Sequence, residues 1–223
     1  MVALRCAAVS ESVAPADLPP LPYRTPPQWA ARWLDHRDEL LVEQAHLEKK
    51  AAAAALSFLF RLPADPALQR GLSALAREEL VHFERTLKLL GARGIPFGPL
   101  APCPYAAELK RAVAATMPER LVDELLVSAI IEARSCERMQ CLAQVWAPVD
   151  AELAGFYSEL VAAEARHADL YQEAAATLVP PAVVALRWQR LGAHEARVLR
   201  GLPAVPRLLG GSGDDALGGG GGG

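Results

Sequence analysis

At 223 residues, with 52% apolar and 22% charged side chains, the chain is long enough for one well-buried domain, and a wholly disordered polypeptide is excluded. Lys and Arg total 23 against 26 Asp and Glu, and a net charge of -3 excludes nucleic-acid binding by bulk charge, so any such contact needs a local patch. The longest largely apolar run, residues 51–60, is ten residues flanked by Lys50 and Arg61, too short to cross a bilayer, so no membrane partner is expected.

The N-terminus has Arg5, then Cys6 to Val9, then Glu11, without the apolar stretch of an export signal, which gives a cytoplasmic expectation. Six prolines within the first 27 residues deny a regular helix, and residues 1–26 read as an extended arm lying on the body. Ala, Leu, Glu and Arg then recur at helical spacing, and β-branched or aromatic runs of period two are absent. The spacing predicts helices over residues 27 or 35 to 61, 66–90, 118–146, 150–178 and 181–200. Short connections carrying Pro63 and Pro148 make two antiparallel hairpins, and a proline-rich segment over 91–117 joins them. Two hairpins, one long crossover and an additional C-terminal helix describe an all-α, ferritin-like four-helix bundle over 27–200. Nine of the last fourteen residues are glycine, so 201–223 reads as a flexible glycine-rich tail without function.

Glu-x-x-His sets a carboxylate and an imidazole about 4.5 Å apart along one helix face, where both can reach one metal ion. Three occur, Glu43/His46, Glu79/His82 and Glu164/His167, where 17 Glu and five His predict about 0.4 by chance. Glu79 and His82 continue the stripe Leu72, Leu75, Ala76, Phe83; Glu164 and His167 continue Leu153, Phe156, Leu160, Tyr171. Glu48 and Glu132 interrupt the apolar faces of the first and third helices. The separations agree: Glu48 to Glu79 is 31 residues and Glu132 to Glu164 is 32, with midpoints at Pro63 and Pro148. Residues equidistant from a hairpin turn lie level, so each lone glutamate meets its partner pair. Glu43/His46 falls on the side of Glu39 and Lys50 and is expected to be solvated; Glu137 is a weaker choice than Glu132.

Four carboxylates turned into a bundle would each cost several kcal/mol, or hold protons, without cations beside them. Two divalent metals balance that charge, and oxygen donors with one imidazole per ion favour iron, with manganese as the alternative. Tyr171 is expected to pack in the core, Cys136 to act as a small hydrophobe, and His194 to be a packing or surface residue. Cys6, Cys103, Cys136 and Cys141 form no Cys-x-x-Cys pair and are expected to be reduced thiols. Such a ligand set leaves iron storage, a manganese catalase, radical generation and dioxygen activation all open.

Four stretches, LEKKAAAAALSFLFR (47–61), LAREELVHFERTLKLL (75–90), IIEARSCERM (130–139) and FYSELVAAEARHADLY (156–171), together with LGAHEA (191–196), resemble the tRNA 2-methylthio-N6-isopentenyladenosine hydroxylases, the MiaE family. The proline-rich start and the glycine tail lie outside these stretches. The resemblance implies a nonheme di-iron monooxygenase acting on the prenyl group of a hypermodified adenosine beside the tRNA anticodon. It places the iron ligands on Glu48, Glu79, His82, Glu132, Glu164 and His167. It further implies dioxygen and two electrons from a separate reductase or ferredoxin-like donor, since no G-x-G-x-x-G fingerprint is present. A ferritin-like iron-oxidising and storage protein is the second reading.

A net-acidic chain needs a basic patch to meet tRNA, and residues 187–207 hold five arginines against Glu195 alone. Arg187, Arg190 and Arg197 recur at near-helical spacing with Trp188 among them, so the fifth helix is expected to hold phosphates and stack a base. Lys49, Lys50, Lys110 and Arg111 form the alternative docking surface.

Overall fold

The computed structural model describes residues 20–26 and 28–213. Among the described residues seven helices run in order: α1 Gln28–Ala31, α2 Arg37–Leu59, α3 Pro66–Ala92, α4 Tyr105–Lys110, α5 Glu119–Trp146, α6 Ala151–Ala176 and α7 Pro181–Gly201. There is no strand among the described residues. The four long helices match the expected ones to within about two residues at most ends. For the first, the start near residue 35 holds and the start at 27 does not, because Arg32 to Asp35 form turns and divide a short α1 from α2.

Helix α2 packs along α3, and α5 along α6, as the short connections require. Both returning helices start on an aspartate cap: the Leu68 N–H donates to Asp65 at 2.8 Å and the Leu153 N–H to Asp150 at 3.1 Å. Pro66 adds its fixed φ in the first turn of α3. The hairpins are joined where Arg93, at the end of α3, donates in a fork to Asp150 at 2.6 and 2.8 Å and to Glu152 at 2.8 Å.

Two apolar clusters fill the bundle. One holds Phe58, Leu68, Leu72, Leu125 and Tyr171; the other holds Leu41, Ala45, Leu90, Met139, Leu153 and Leu160. Each long helix passes from one cluster to the other across a buried glutamate: Glu48, Glu79, Glu132 or Glu164. The carboxylates form a polar layer between two apolar ends.

The glycine tail does not begin at residue 201. Leu208 and Leu209 are buried, the Ser212 N–H donates to the Leu199 carbonyl at 2.8 Å, and Arg138 donates to the carbonyls of Leu208 and Gly210, each at 2.7 Å. Gly211 is required by close approach, since a Cβ there would collide with the Leu202 carbonyl. Residues 202–213 are therefore a packed strap, and 214–223 lie outside the described residues. Of the proline-rich arm, residues 1–19 also lie outside them, while 20–26 run without regular structure across the bundle. Tyr23 is buried there, and Thr25 donates through Oγ1 to Glu137 at 2.7 Å.

Candidate metal centre

Each of the four helices delivers its glutamate because the flanking residues on that face are apolar and must be buried, which carries the carboxylate inward with them. Glu79 is 0% exposed, and Glu48, Glu132, Glu164, His82 and His167 are all buried. Ligand atoms of Glu48, Glu79, His82 and Glu164 lie within 4.8 Å of one another. His82 Nδ1 stands 3.8 Å from Glu48 Oε2 and 3.8 Å from Glu79 Oε2. The two imidazole rings are 6.3 Å apart between centroids. His167 Nδ1 is 2.7 Å from Glu79 Oε1, yet outside hydrogen-bond geometry. Glu132 interacts with Glu164 and Glu79, which joins it to the same group.

Burial and then the Glu79 charge push the Glu132 carboxyl up to about 7. Glu48 and Glu164 are raised well above the ordinary carboxylate range, by burial first and then by neighbouring carboxylates. Burial pushes Glu79 up as well, but the His167 and His82 rings beside it hold it down at about 2. One carboxylate is thus paired with imidazoles while three crowd together. Both oxygens of Glu79, His82 Nδ1 and His167 Nδ1 are buried without a hydrogen-bond partner. Orphaned donors of this kind, oxygen and imidazole nitrogen aimed at one place, fit divalent metal ions.

Supporting groups orient the donors. Gln44 donates to Glu48 Oε1 at 2.7 Å, and His167 Nε2 is 3.1 Å from Glu78 Oε2, which leaves Nδ1 facing the centre. Tyr171 is buried and stacks edge-on with Phe58, ring centroids 5.6 Å apart. Cys136 is half-buried, with Sγ 3.5 Å from the Val161 carbonyl, and His194 donates to the Glu108 carbonyl at 2.9 Å.

Glu43 is not solvated. It is 3% exposed and accepts the Leu208 N–H at 2.5 Å, with Arg207 Nε at 3.8 Å. The strap covers a face of α2 that the helical pattern assigns to solvent. His46 is partly buried and donates to the Gly98 carbonyl at 2.8 Å. Glu137 serves the N-terminal arm instead of the centre, through Thr25 and Arg134.

The expected arginine surface on α7 is used differently. Asp123, fully buried, accepts from Arg187 at 2.8 Å, from Arg190 at 2.6 Å and from the Ala114 N–H at 2.8 Å. Trp188 is 4% exposed within the apolar core, so it offers no face to a base. Arg197 is exposed.

Sequence reasoning missed two arginines. Arg134 donates to Glu195 at 2.7 and 3.0 Å and to the Tyr23 carbonyl at 2.9 Å. Arg138, 0% exposed, stacks 4.5 Å from the Trp29 ring centre while it holds the strap. Both lie one turn apart on α5 among apolar residues, and that interruption is the signal that could have found them.

A cavity of about 650 Å³ opens beside the centre. It reaches Glu48, Glu132 and Glu164 between α2 and α5, under a roof that includes Leu100, Ala101, Cys103, Tyr105 and Ala106 of the crossover. Glu79 and both histidines stand outside its lining, so the centre is approached from one side.

A bundle of two hairpins with buried carboxylates and two Glu-x-x-His pairs facing one another has the ferritin-like fold and a donor set that could hold metal ions. A solved structure described as "Protein 43 with aldehyde deformylating oxygenase activity from Synechococcus" shares the fold with a TM-score of 0.80 and 38% identity, covering 87% of this chain and 97% of that one. The chain belongs to the family tRNA-(MS[2]IO[6]A)-hydroxylase (MiaE), which matches residues 17–209. That span takes in the end of the proline-rich start and part of the strap. The tRNA 2-(methylsulfanyl)-N(6)-isopentenyladenosine(37) hydroxylase of Pseudomonas putida is 43% identical over 143 residues, 64% of this chain and 68% of that protein. The Salmonella typhimurium protein of the same name is 42% identical over 93 residues, 42% of this chain and 33% of that one.

Proposed function

We infer that the chain is a tRNA hydroxylase, inserting one oxygen atom into the isopentenyl group of 2-methylthio-N6-isopentenyladenosine next to the anticodon. Family membership supports this reading over iron storage or a manganese catalase. The carrying observation is the cavity: about 650 Å³, open at the surface and ending on three of the buried glutamates, it is of a size that takes a modified nucleoside.

In this reading Glu48, Glu79, His82, Glu132, Glu164 and His167 would hold two iron ions, ferrous or ferric, with manganese as the alternative metal. Bound iron supplies reductive activation of dioxygen, which no side chain can perform. The chain's own groups do the rest. Gln44 and Glu78 fix the Glu48 carboxylate and the His167 ring. Leu47, Phe58, Val127, Ile131 and Met139 give the cavity apolar walls for a prenyl chain and keep water from its inner end. Two electrons come from a separate reductase or ferredoxin-like donor. A tRNA substrate places the reaction in the cytoplasm, and among the described residues no helix is long and apolar enough to cross a membrane.

The test is to incubate iron-loaded protein with prenylated tRNA and a chemical reductant, digest the RNA, and weigh the nucleosides. A new nucleoside heavier by one oxygen is expected; unchanged prenyl-adenosine in RNA that binds the protein would overturn the reading. The likeness to a protein with aldehyde deformylating oxygenase activity favours a second reading, in which the same apolar cavity takes an aldehyde. Loss of an added aldehyde with release of formate, and no change in tRNA, would select it.

A further inference from the structure

The outer end of the cavity is cationic although the chain is net acidic. Lys50 of α2, Arg61 just after it, Lys110 at the end of α4 and Arg120 in the first turn of α5 all line it and are all exposed. Of the glutamates lining the cavity, Glu43, Glu48, Glu132 and Glu164 are buried, which leaves Glu124 as the one partly exposed carboxylate among them, and it pairs with both Arg61 and Arg120. Within the described residues neither Lys50 nor Lys110 makes a hydrogen bond or a close ion pair, although the Lys50 charge acts on the buried Glu43. Four cations against one carboxylate therefore surround the wide approach to Glu48, Glu132 and Glu164. A cleft so charged, with apolar walls behind it, draws anions to its mouth and apolar groups to its floor.

Beside this rim stands Phe60, 89% exposed, the most exposed large apolar side chain among the described residues. It follows α2 with helical backbone angles, one heptad beyond Ala53, which lines the cavity, and next to Arg61, which lines it too. A ring so placed is left without a packing partner at the edge of a basic mouth. Cations for a sugar-phosphate chain and an aromatic face for an unpaired base are the two elements of single-strand recognition.

We propose that this rim, and not α7, docks the single-stranded loop that carries the substrate nucleotide: Lys50, Arg61, Lys110 and Arg120 take phosphates, and Phe60 stacks on an unpaired base next to the one that enters the cavity. The inference rests on the tRNA reading above and deepens it. Along α2 the helical rise separates Lys50 from Arg61 by roughly 16 Å, so the rim spans several nucleotides and not a single anion. The arginines of α7 are left with structural work on Asp123.

The test uses iron-loaded protein and a fluorescent anticodon stem-loop carrying isopentenyladenosine, with dissociation constants measured across a salt series. The Lys50→Glu/Lys110→Glu pair should weaken binding at least about tenfold and flatten the salt slope by about 1.4, or about 0.7 for each phosphate that is no longer neutralised. Phe60→Ala should weaken binding about 5- to 30-fold with the salt slope intact, and Phe60→Trp should restore it. Arg197→Glu should leave affinity within twofold. All these side chains are exposed, and unchanged melting temperature and iron content verify the fold. Wild-type affinity and slope in the lysine pair, or a larger loss from Arg197→Glu, would overturn the proposal. RNA bound through this rim but left unoxidised would keep the docking surface and remove the hydroxylase reading.

Discussion

Glu132 has the clearest task of any buried carboxyl in the bundle, since its upward shift to about 7 comes from burial and from the negative neighbour Glu79. A cation held between them would offset both causes. Glu132→Ala and His82→Ala should each lower bound iron from about two ions per chain to one or fewer, measured by metal analysis after reconstitution. Glu43→Gln should leave iron content at the wild-type level, because that carboxyl is spent on Leu208 and Arg207. Its effect is on pH dependence. Burial lifts Glu43 from the ordinary 4.5 to about 7 against the pull of the Leu208 N–H and Arg207. The folded chain then retains a proton that the unfolded chain has released, so this carboxyl's contribution is largest below about pH 4.5 and declines as the pH rises through about 7. The decline amounts to about 3 kcal/mol. Urea unfolding of the Glu43→Gln variant should match wild type near pH 4.5 and gain on it by pH 7.5; parallel curves would contradict the assignment. That Glu48, Glu79, His82, Glu132, Glu164 and His167 are all buried was legible in the sequence because stripe phase, hairpin height and spacing agree for each. Glu43 was not legible, because what buries it arrives from residues 207 and 208, about 165 positions away, with no local mark on α2.

The long helices α2, α3, α5 and α6 were legible from periodicity and from the prolines and aspartates at their starts. The break between α1 and α2 was legible only as one of two alternatives, since Trp29, Ala30 and Trp33 pack as an apolar patch that reads like a continuation of the helix. Helix α4 was hidden by the prolines around it, though Pro104 sits at its cap where a proline is tolerated. Periodicity places helix α7 correctly but presents its arginines as a surface. Its period puts Arg187 and Arg190 one turn apart, and only the tertiary fold supplies Asp123 between them. Removal of that carboxylate should cost about 2 kcal/mol, at the low end for a buried pair because Arg190 is half exposed and screened by water. Asp123→Ala should therefore lower the thermal midpoint by several degrees and loosen α7 from α5, with affinity for the stem-loop RNA unchanged. A fall in RNA affinity without a fall in midpoint would assign α7 to the substrate instead.

The two hairpins, Glu48 to Glu79 and Glu132 to Glu164, are near copies in spacing, and their meeting sets four carboxylates and two imidazoles in one layer. The chain is not symmetric around that layer. On the α2–α5 side the cavity admits a ligand, with Leu209 of the strap in its lining; the arm and α7 pack elsewhere around α5 through Arg134 and Asp123, and Arg138 holds the strap. Chemistry at the centre is thereby directed to one face, and the bulk charge of -3 says little about the rim of that face. A single turnover under oxygen-18 gas tests the hydroxylase most directly. Reduced, iron-loaded protein is mixed with prenylated tRNA, and the digested nucleosides are weighed beside the same reaction with Glu132→Ala. One oxygen-18 atom in the isopentenyl group, present with wild type and absent with the variant, is the expected result; an oxygen drawn from water, or no oxygenated nucleoside from protein that holds two irons and binds the RNA, would contradict it.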